Sequence, residues 1–204
     1  MPEVIEILKS EFDTVNFGGS WHSDMSYMEC PPMATALYAK EVPASGGDTQ
    51  FANTTLAHEA LSRAMRDLLA GLTGINSSEG RYQGGRAAAM SRLDGMKSAY
   101  NETSEVHESE HPVVRTHPVT GRRSLYVNPI HTQRLRDMTV EESRPLLDYL
   151  CQHMVRPEFT CRFRWQPGSL AIWDNRTTLH FAVNDYQGSR RRMQRITIKG
   201  DRPR

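Results

Sequence analysis

Trp21-His22-Ser23-Asp24 is the part of this 204-residue sequence whose residue types and spacing most plainly suggest chemistry. Side chains two apart on an extended segment point to the same side, so the His22 imidazole and the Asp24 carboxylate can converge on one point. That point can be a metal ion, although H-x-D is a common triplet whose ordinary role is surface hydrogen bonding. His180, in the strand-like run His180-Phe181-Ala182-Val183 near the other end of the chain, can face the first pair across a barrel. Two histidines and one carboxylate then occupy one face of the metal and leave three positions free, which suits ferrous iron that must take both an organic chelate and dioxygen. A closed four-ligand zinc site leaves no such room.

Arg191 and Arg195 follow, four apart on an alternating segment, so both guanidinium groups can project from the face that carries Met193 and Thr197. Inward-pointing arginines are costly unless they meet anions, and the guanidinium fork matches carboxylate or sulfonate oxygens. The opposite face, Ile196 and Ile198, is expected to pack against a covering helix. Other candidates take ordinary readings. His107 and His111 are spaced for a helical metal site, but Pro112 argues against a helix and a solvated loop is expected. His58 and His153 fall in helices as surface or interhelical residues, His131 is left open, and Trp21, Trp165 and Trp173 are expected to anchor the core.

These side chains need a scaffold. Val4 to Leu8, Thr35 to Val42, Ser124 to Val127, Phe159 to Trp165, Ser169 to Trp173, Thr177 to Val183 and Met193 to Lys199 have strand character. Apolar residues repeating at three and four from Leu56 to Leu72 predict one amphipathic helix, and Thr139-Val140-Glu141-Glu142 opens a second with a capping box, running to about Met154. Short successive strands with two outer helices predict a mostly β antiparallel sandwich or barrel. Asn76 to Glu110 loses periodicity, and a polar insertion of that length is either a lid or disorder.

Composition narrows the class. One ordinary domain accommodates 204 residues, and 38% hydrophobic with 24% charged residues describes a globular chain. Net charge is 25 − 24 = +1, which excludes recognition of nucleic acid by bulk charge. Apolar runs are too short to cross a bilayer, and the N-terminus lacks a basic start before an apolar core. Three cysteines, Cys30, Cys151 and Cys161, without C-x-x-C spacing fit a reducing cytoplasm, which makes the four N-x-[ST] matches fortuitous.

Taken in order and spacing, several motifs resemble the taurine dioxygenase and chlorophenoxyacetate dioxygenase family of iron(II)- and 2-oxoglutarate-dependent oxygenases, from about Trp21 to Pro203. They are Trp21-His22-Ser23-Asp24, Gly46-Gly47-Asp48-Thr49, His111 to Pro118, Trp165-Gln166-Pro167-Gly168, Trp173-Asp174-Asn175-Arg176 and His180 through Arg195. The resemblance implies a double-stranded β-helix (jelly-roll) core in a single oxygenase domain, with His22, Asp24 and His180 holding Fe(II). It implies that Thr49 and Arg191 hold the distal carboxylate of 2-oxoglutarate, that Arg195 meets a small anionic substrate, and that Tyr126 lines the substrate pocket. The implied reaction hydroxylates a C–H with O2 while 2-oxoglutarate is decarboxylated to succinate and CO2.

Gly18 stands where taurine-using members carry a polar Asn, so the resemblance points toward another sulfonate or an aryl or alkyl carboxylate. Only Met1 to Ser20 precede the first motif, where family members carry a further segment. An exposed apolar patch or strand edge near the N-terminus is therefore expected, met by a partner subunit of a homo-oligomer or by that segment. Two other readings share the residues: a truncated or inactive relative, and a non-redox cupin-like barrel, which would need neither Thr49 nor Arg191.

Overall fold

The computed structural model describes residues 4–79 and 106–204. Strands dominate, and twelve of them are named among these residues: β1 (Ile5–Lys9), β2 (Ala34–Glu41), β3 (Thr49–Asn53), β4 (Thr73–Ser77), β5 (Glu108–Pro112), β6 (Val114–Thr116), β7 (Arg123–Leu125), β8 (Thr132–Leu135), β9 (Thr160–Phe163), β10 (Leu170–Asp174), β11 (Thr178–Ala182) and β12 (Arg191–Ile198). Helices are α1 (Thr54–Glu59), α2 (Arg63–Leu69) and α3 (Val140–Met154).

Two antiparallel sheets frame the site. One has the order β1-β12-β2-β10, the other β11-β3-β9. Alternation in β12 sends Arg191, Met193 and Arg195 inward and Arg192 and Ile196 outward. Register then sets Arg195 opposite Leu37 on one side and Ile5 on the other, and Arg191 opposite Lys9. Leu37, Ala39, Trp165, Trp173 and Met193 form the buried layer, with Phe51 and Phe163 of the second sheet packed on it. This apolar wall keeps water from the inward arginines and fixes their stems.

A second apolar cluster, including Leu61, Leu69, Val113, Leu125, Leu150 and Met154, lies under the helices. Asn53 ends β3 and caps α1, its side-chain Oδ1 accepting from the Thr55 and Leu56 N–H groups at 3.1 Å each. The single helix expected to Leu72 is two, because Ser62 caps a new start at Arg63 after Leu61 turns into the core. α3 opens with the expected reciprocal box between Thr139 and Glu142.

Three expectations need correction. Ile196 and Ile198 are not covered by a helix: among the described residues they stay 43% and 37% exposed, because α1 and α3 pack on the other cluster. Tyr38, Leu170 and Ile172 share that outward apolar face, through the pairs Tyr38 with Leu170, Ala36 with Ile172 and Ala36 with Ile196. His111 is not in a solvated loop. It is buried in β5, where its Nε2 donates to the Met28 carbonyl at 2.9 Å, and burial lowers its pKa. Finally, the ends of the Asn76–Glu110 stretch are strand, with Asn76 opposite Ser109 and Ser77 opposite Glu108. The lid expectation for residues between them falls at 80–105, outside the described residues.

Candidate metal centre and adjoining cavity

His22 and His180 come together through the backbone. Each donates its N–H to the other's carbonyl, at 3.0 and 2.8 Å, in an isolated antiparallel bridge that places the rings 4.1 Å apart. Asp24 joins them: its Oδ1 lies 3.8 Å from the Nε2 of each histidine, and all three donor atoms fall within 4.8 Å of one another. All three side chains are buried. Among the described residues this is the one group of three or more His, Cys, Asp or Glu side chains close enough to hold a metal ion.

Protonation favours the same use. The His22 Nδ1 lies 2.7 Å from the Ser20 carbonyl, which can only accept, so Nδ1 carries a proton and Nε2 is the ring nitrogen turned toward Asp24. His180 has its pKa pushed down to about 3, first by burial and then by His22. Asp24 is held well below the usual carboxylate range: burial pulls upward, and Arg195, the two histidines and Thr35 outweigh it. An anionic oxygen beside two imidazole nitrogens forms a donor set that fits a divalent metal.

That neutral His180 has a consequence for the metal-free protein. As pH falls below the ordinary histidine pKa of 6.5, the unfolded chain takes up a proton that the folded site refuses, so stability falls with pH toward 3. Between about pH 7 and about pH 5 the loss from this group is about 2 kcal/mol. Urea midpoints of metal-free protein at the two pH values check this, and equal midpoints contradict it.

A cavity opens beside the donors, lined by His22, His180, Gly18, Thr49, Arg191 and Arg195, with Ile7, Phe17, Leu37, Trp173 and Ala182 as its apolar part. Gly18 has φ +80°, and a Cβ there would come within 3.3 Å of His22 Cε1, so glycine keeps the wall beside the donors open. Arg191 donates Nε–H to the Gly47 carbonyl at 3.0 Å, while its buried Nη2 has no hydrogen-bond partner among the described residues. Thr49 accepts from Trp165 Nε1 at 2.9 Å, leaving the hydroxyl proton to give. Arg195 sits at the donor group, its Nη2 3.1 Å from Asp24 Oδ1 and its buried Nε without a partner. Unpaired buried guanidinium N–H groups are expensive, and an anion in the cavity would satisfy both arginines.

Of the residues singled out in the sequence, His22, Asp24, His180, Thr49, Arg191 and Arg195 converge. Tyr126 does not line the cavity. It is buried behind Ser23 against the Arg115 guanidinium, 5.0 Å from its ring, with the phenol pushed up to about 12 by burial. Trp173 is both core anchor and cavity wall. Thr35 supports Asp24 directly and Asn175 supports it through Thr35, a role that neither the strand pattern nor the Trp173-Asp174-Asn175-Arg176 motif marks. The alternation of Thr35 with Leu37 on β2 was the available signal, and it gives only the inward face.

The profile of the family described as taurine catabolism dioxygenase TauD, TfdA family matches residues 5–197. The chain belongs to the TauD/TfdA family. It is similar to the alpha-ketoglutarate-dependent sulfate ester dioxygenase of Pseudomonas putida, 39% identical over 187 residues, covering 90% of this chain and 60% of that protein. The alkylsulfatase of Acinetobacter baylyi is 37% identical over 183 residues, 89% of this chain and 57% of its own length. Among solved structures, a taurine dioxygenase from Burkholderia xenovorans superimposes with TM-score 0.79 at 37% identity, over 99% of this chain and 66% of that one. The chain thus spans about three fifths of the length of these two curated TauD/TfdA relatives. The mostly β architecture agrees with that structural neighbour.

Proposed function

We propose that this chain is an iron(II)- and 2-oxoglutarate-dependent dioxygenase that hydroxylates a C–H of a small anionic substrate, a sulfonate, sulfate ester or carboxylate. In the balanced reaction one O2 is consumed, one oxygen atom enters the substrate and the other enters succinate, and CO2 leaves. The observation that carries this reading is the placement of two incompletely satisfied buried arginines, Arg191 and Arg195, in the cavity that the His22, Asp24 and His180 donors face. A cupin-like metal barrel needs neither Thr49 nor Arg191. The names of the relatives support the same class of reaction.

In this reading His22 Nε2, Asp24 Oδ1 and His180 Nε2 hold the iron. Iron(II), when bound, supplies the centre at which dioxygen and the keto acid react. Arg191 and the Thr49 hydroxyl grip the distal carboxylate of 2-oxoglutarate by charge-assisted hydrogen bonds. Arg195 receives the substrate anion and so fixes which C–H faces the metal, with Phe17, Leu37 and Ile7 excluding water around it. The two facing sheets and the bridge from His22 to His180 support a double-stranded β-helix core. Cys30, Cys151 and Cys161 form no disulfide with one another, in keeping with a reducing cytoplasm.

Gly18 leaves no side chain to meet a substrate amine, which supports a preference for anions without one. A panel of alkyl sulfates, alkyl and aryl sulfonates and aryloxy carboxylates, scored by succinate release with iron(II) and 2-oxoglutarate, tests the function. Substrate-dependent succinate with at least one of these anions is expected. Release that no anion stimulates, from protein that binds iron(II), would count against the oxygenase reading.

A further inference from the structure

Behind the metal donors runs a chain of buried hydrogen bonds whose direction is fixed at every link. The Trp173 indole Nε1–H can only donate, and it meets Asn175 Oδ1 at 2.9 Å. That orients the Asn175 amide, so its Nδ2–H points to Thr35 Oγ1 at 2.9 Å. With its oxygen engaged as acceptor, the Thr35 hydroxyl gives its single proton to Asp24 Oδ2, at 2.5 Å. Thr35 and Asn175 are 0% and 1% exposed, so water does not compete. Both ends touch the donor set, because the Trp173 ring also packs 4.8 Å from the His180 ring. The Ser23 hydroxyl, between the two donors of the H-x-D triplet, further ties this segment to the Asn175 carbonyl at 2.8 Å.

We propose that Thr35 and Asn175 are positioning residues that hold Asp24 to one-oxygen coordination of the metal. The inference rests on the metal-site reading of His22, Asp24 and His180. Oδ2 is engaged by Thr35, and Oδ1 is the oxygen turned toward both histidine Nε2 atoms. A carboxylate free to rotate would offer both oxygens and take one of the three positions that a two-His-one-carboxylate set leaves open. Hydrogen bonds of this outer kind orient a ligand, and their loss typically weakens metal binding by about 10- to 100-fold.

Cobalt(II) titration of the full chain under argon, followed by its visible absorption, tests this. Stoichiometric binding by the wild type is expected; its absence would overturn the metal-site reading and this inference with it. Given wild-type binding, Thr35→Val should weaken affinity by about 10- to 100-fold and change the shape of the cobalt spectrum, while Thr35→Ser, which keeps the donor, should restore both. Asn175→Ala should weaken binding less. Added to Thr35→Val, it should cost nothing more, because it acts through Thr35. This comparison also serves if one single variant folds poorly. Wild-type affinity and spectrum in Thr35→Val, or additive losses in the double variant, would overturn the positioning role while leaving the metal site intact.

Discussion

Asp24→Ala and His180→Ala proteins are each expected to lose stoichiometric iron(II) and, with it, substrate-dependent succinate. Each removes one of three donors from a set gathered within 4.8 Å. Structural zinc sites with four protein ligands draw about 10–16 kcal/mol from them, so one ligand is worth about 3 kcal/mol, or roughly a hundred-fold in affinity. Turnover falls further, because an iron bound by two residues also loses its fixed orientation toward the cavity. The two variants differ usefully in their side effects. Asp24→Ala strands the Arg195 guanidinium, which now lies 3.1 Å from Asp24 Oδ1, and breaking a buried pair from one side costs about 3–5 kcal/mol of stability. His180→Ala leaves that pair intact, so its metal loss cannot be blamed on a buried charge. Bound iron after desalting, with a thermal melt as folding control, checks both. Wild-type turnover in either would sink the assignment.

The two arginines should separate cleanly in kinetics. Arg191→Met is expected to raise the KM for 2-oxoglutarate by roughly a hundred-fold, and Arg195→Met to raise the KM for the anionic substrate by a similar factor. Truncating one partner of a buried charged hydrogen bond costs about 3 kcal/mol, which sets that scale. Position makes the effects distinct. Arg191 is anchored to the Gly47 carbonyl and shares its cavity wall with Thr49, whereas Arg195 sits four residues further along β12, beyond the inward Met193, against Asp24. Crossed measurements, each variant against each ligand, read the result. Equal losses for both ligands in both variants would mean that the arginines serve the fold rather than separate subsites. A neutral substrate turned over with no loss in Arg195→Met would overturn the anion requirement.

Much of the site was legible because its signals are local. H-x-D on an extended segment, a histidine on a late strand and two arginines four apart on an alternating strand each follow from period-two geometry, and β12 carries Arg191 and Arg195 inward as that geometry requires. The boundaries of β2, β10 and β11, each to within one residue, and the capping box of α3 were equally readable from pattern. Other features depend on tertiary partners that no local pattern contains. β3 to β6 and β8 are short and rich in Gly, Thr, Asn or charge, and they become strands by pairing, as Thr73–Ser77 does between β5 and β8. His111 is buried because Met28, distant in sequence, supplies a carbonyl. The support of Asp24 by Thr35 and Asn175 joins residues 11 and 140 positions apart. Ile196 and Ile198 show the opposite failure: their pattern correctly places them on the outward face, but it does not say whether anything covers them.

The most direct test of the central claim is the visible spectrum of the protein with iron(II) and 2-oxoglutarate in the absence of oxygen. A keto acid chelating ferrous iron through two positions gives a weak metal-to-ligand charge-transfer band, and it can form only where the protein leaves at least two adjacent positions open. Wild-type protein is expected to develop that band in proportion to bound iron, with saturation at one 2-oxoglutarate per chain, and Asp24→Ala is expected to show none. Wild-type protein that binds iron(II) stoichiometrically and yet develops no band with saturating 2-oxoglutarate would contradict the account.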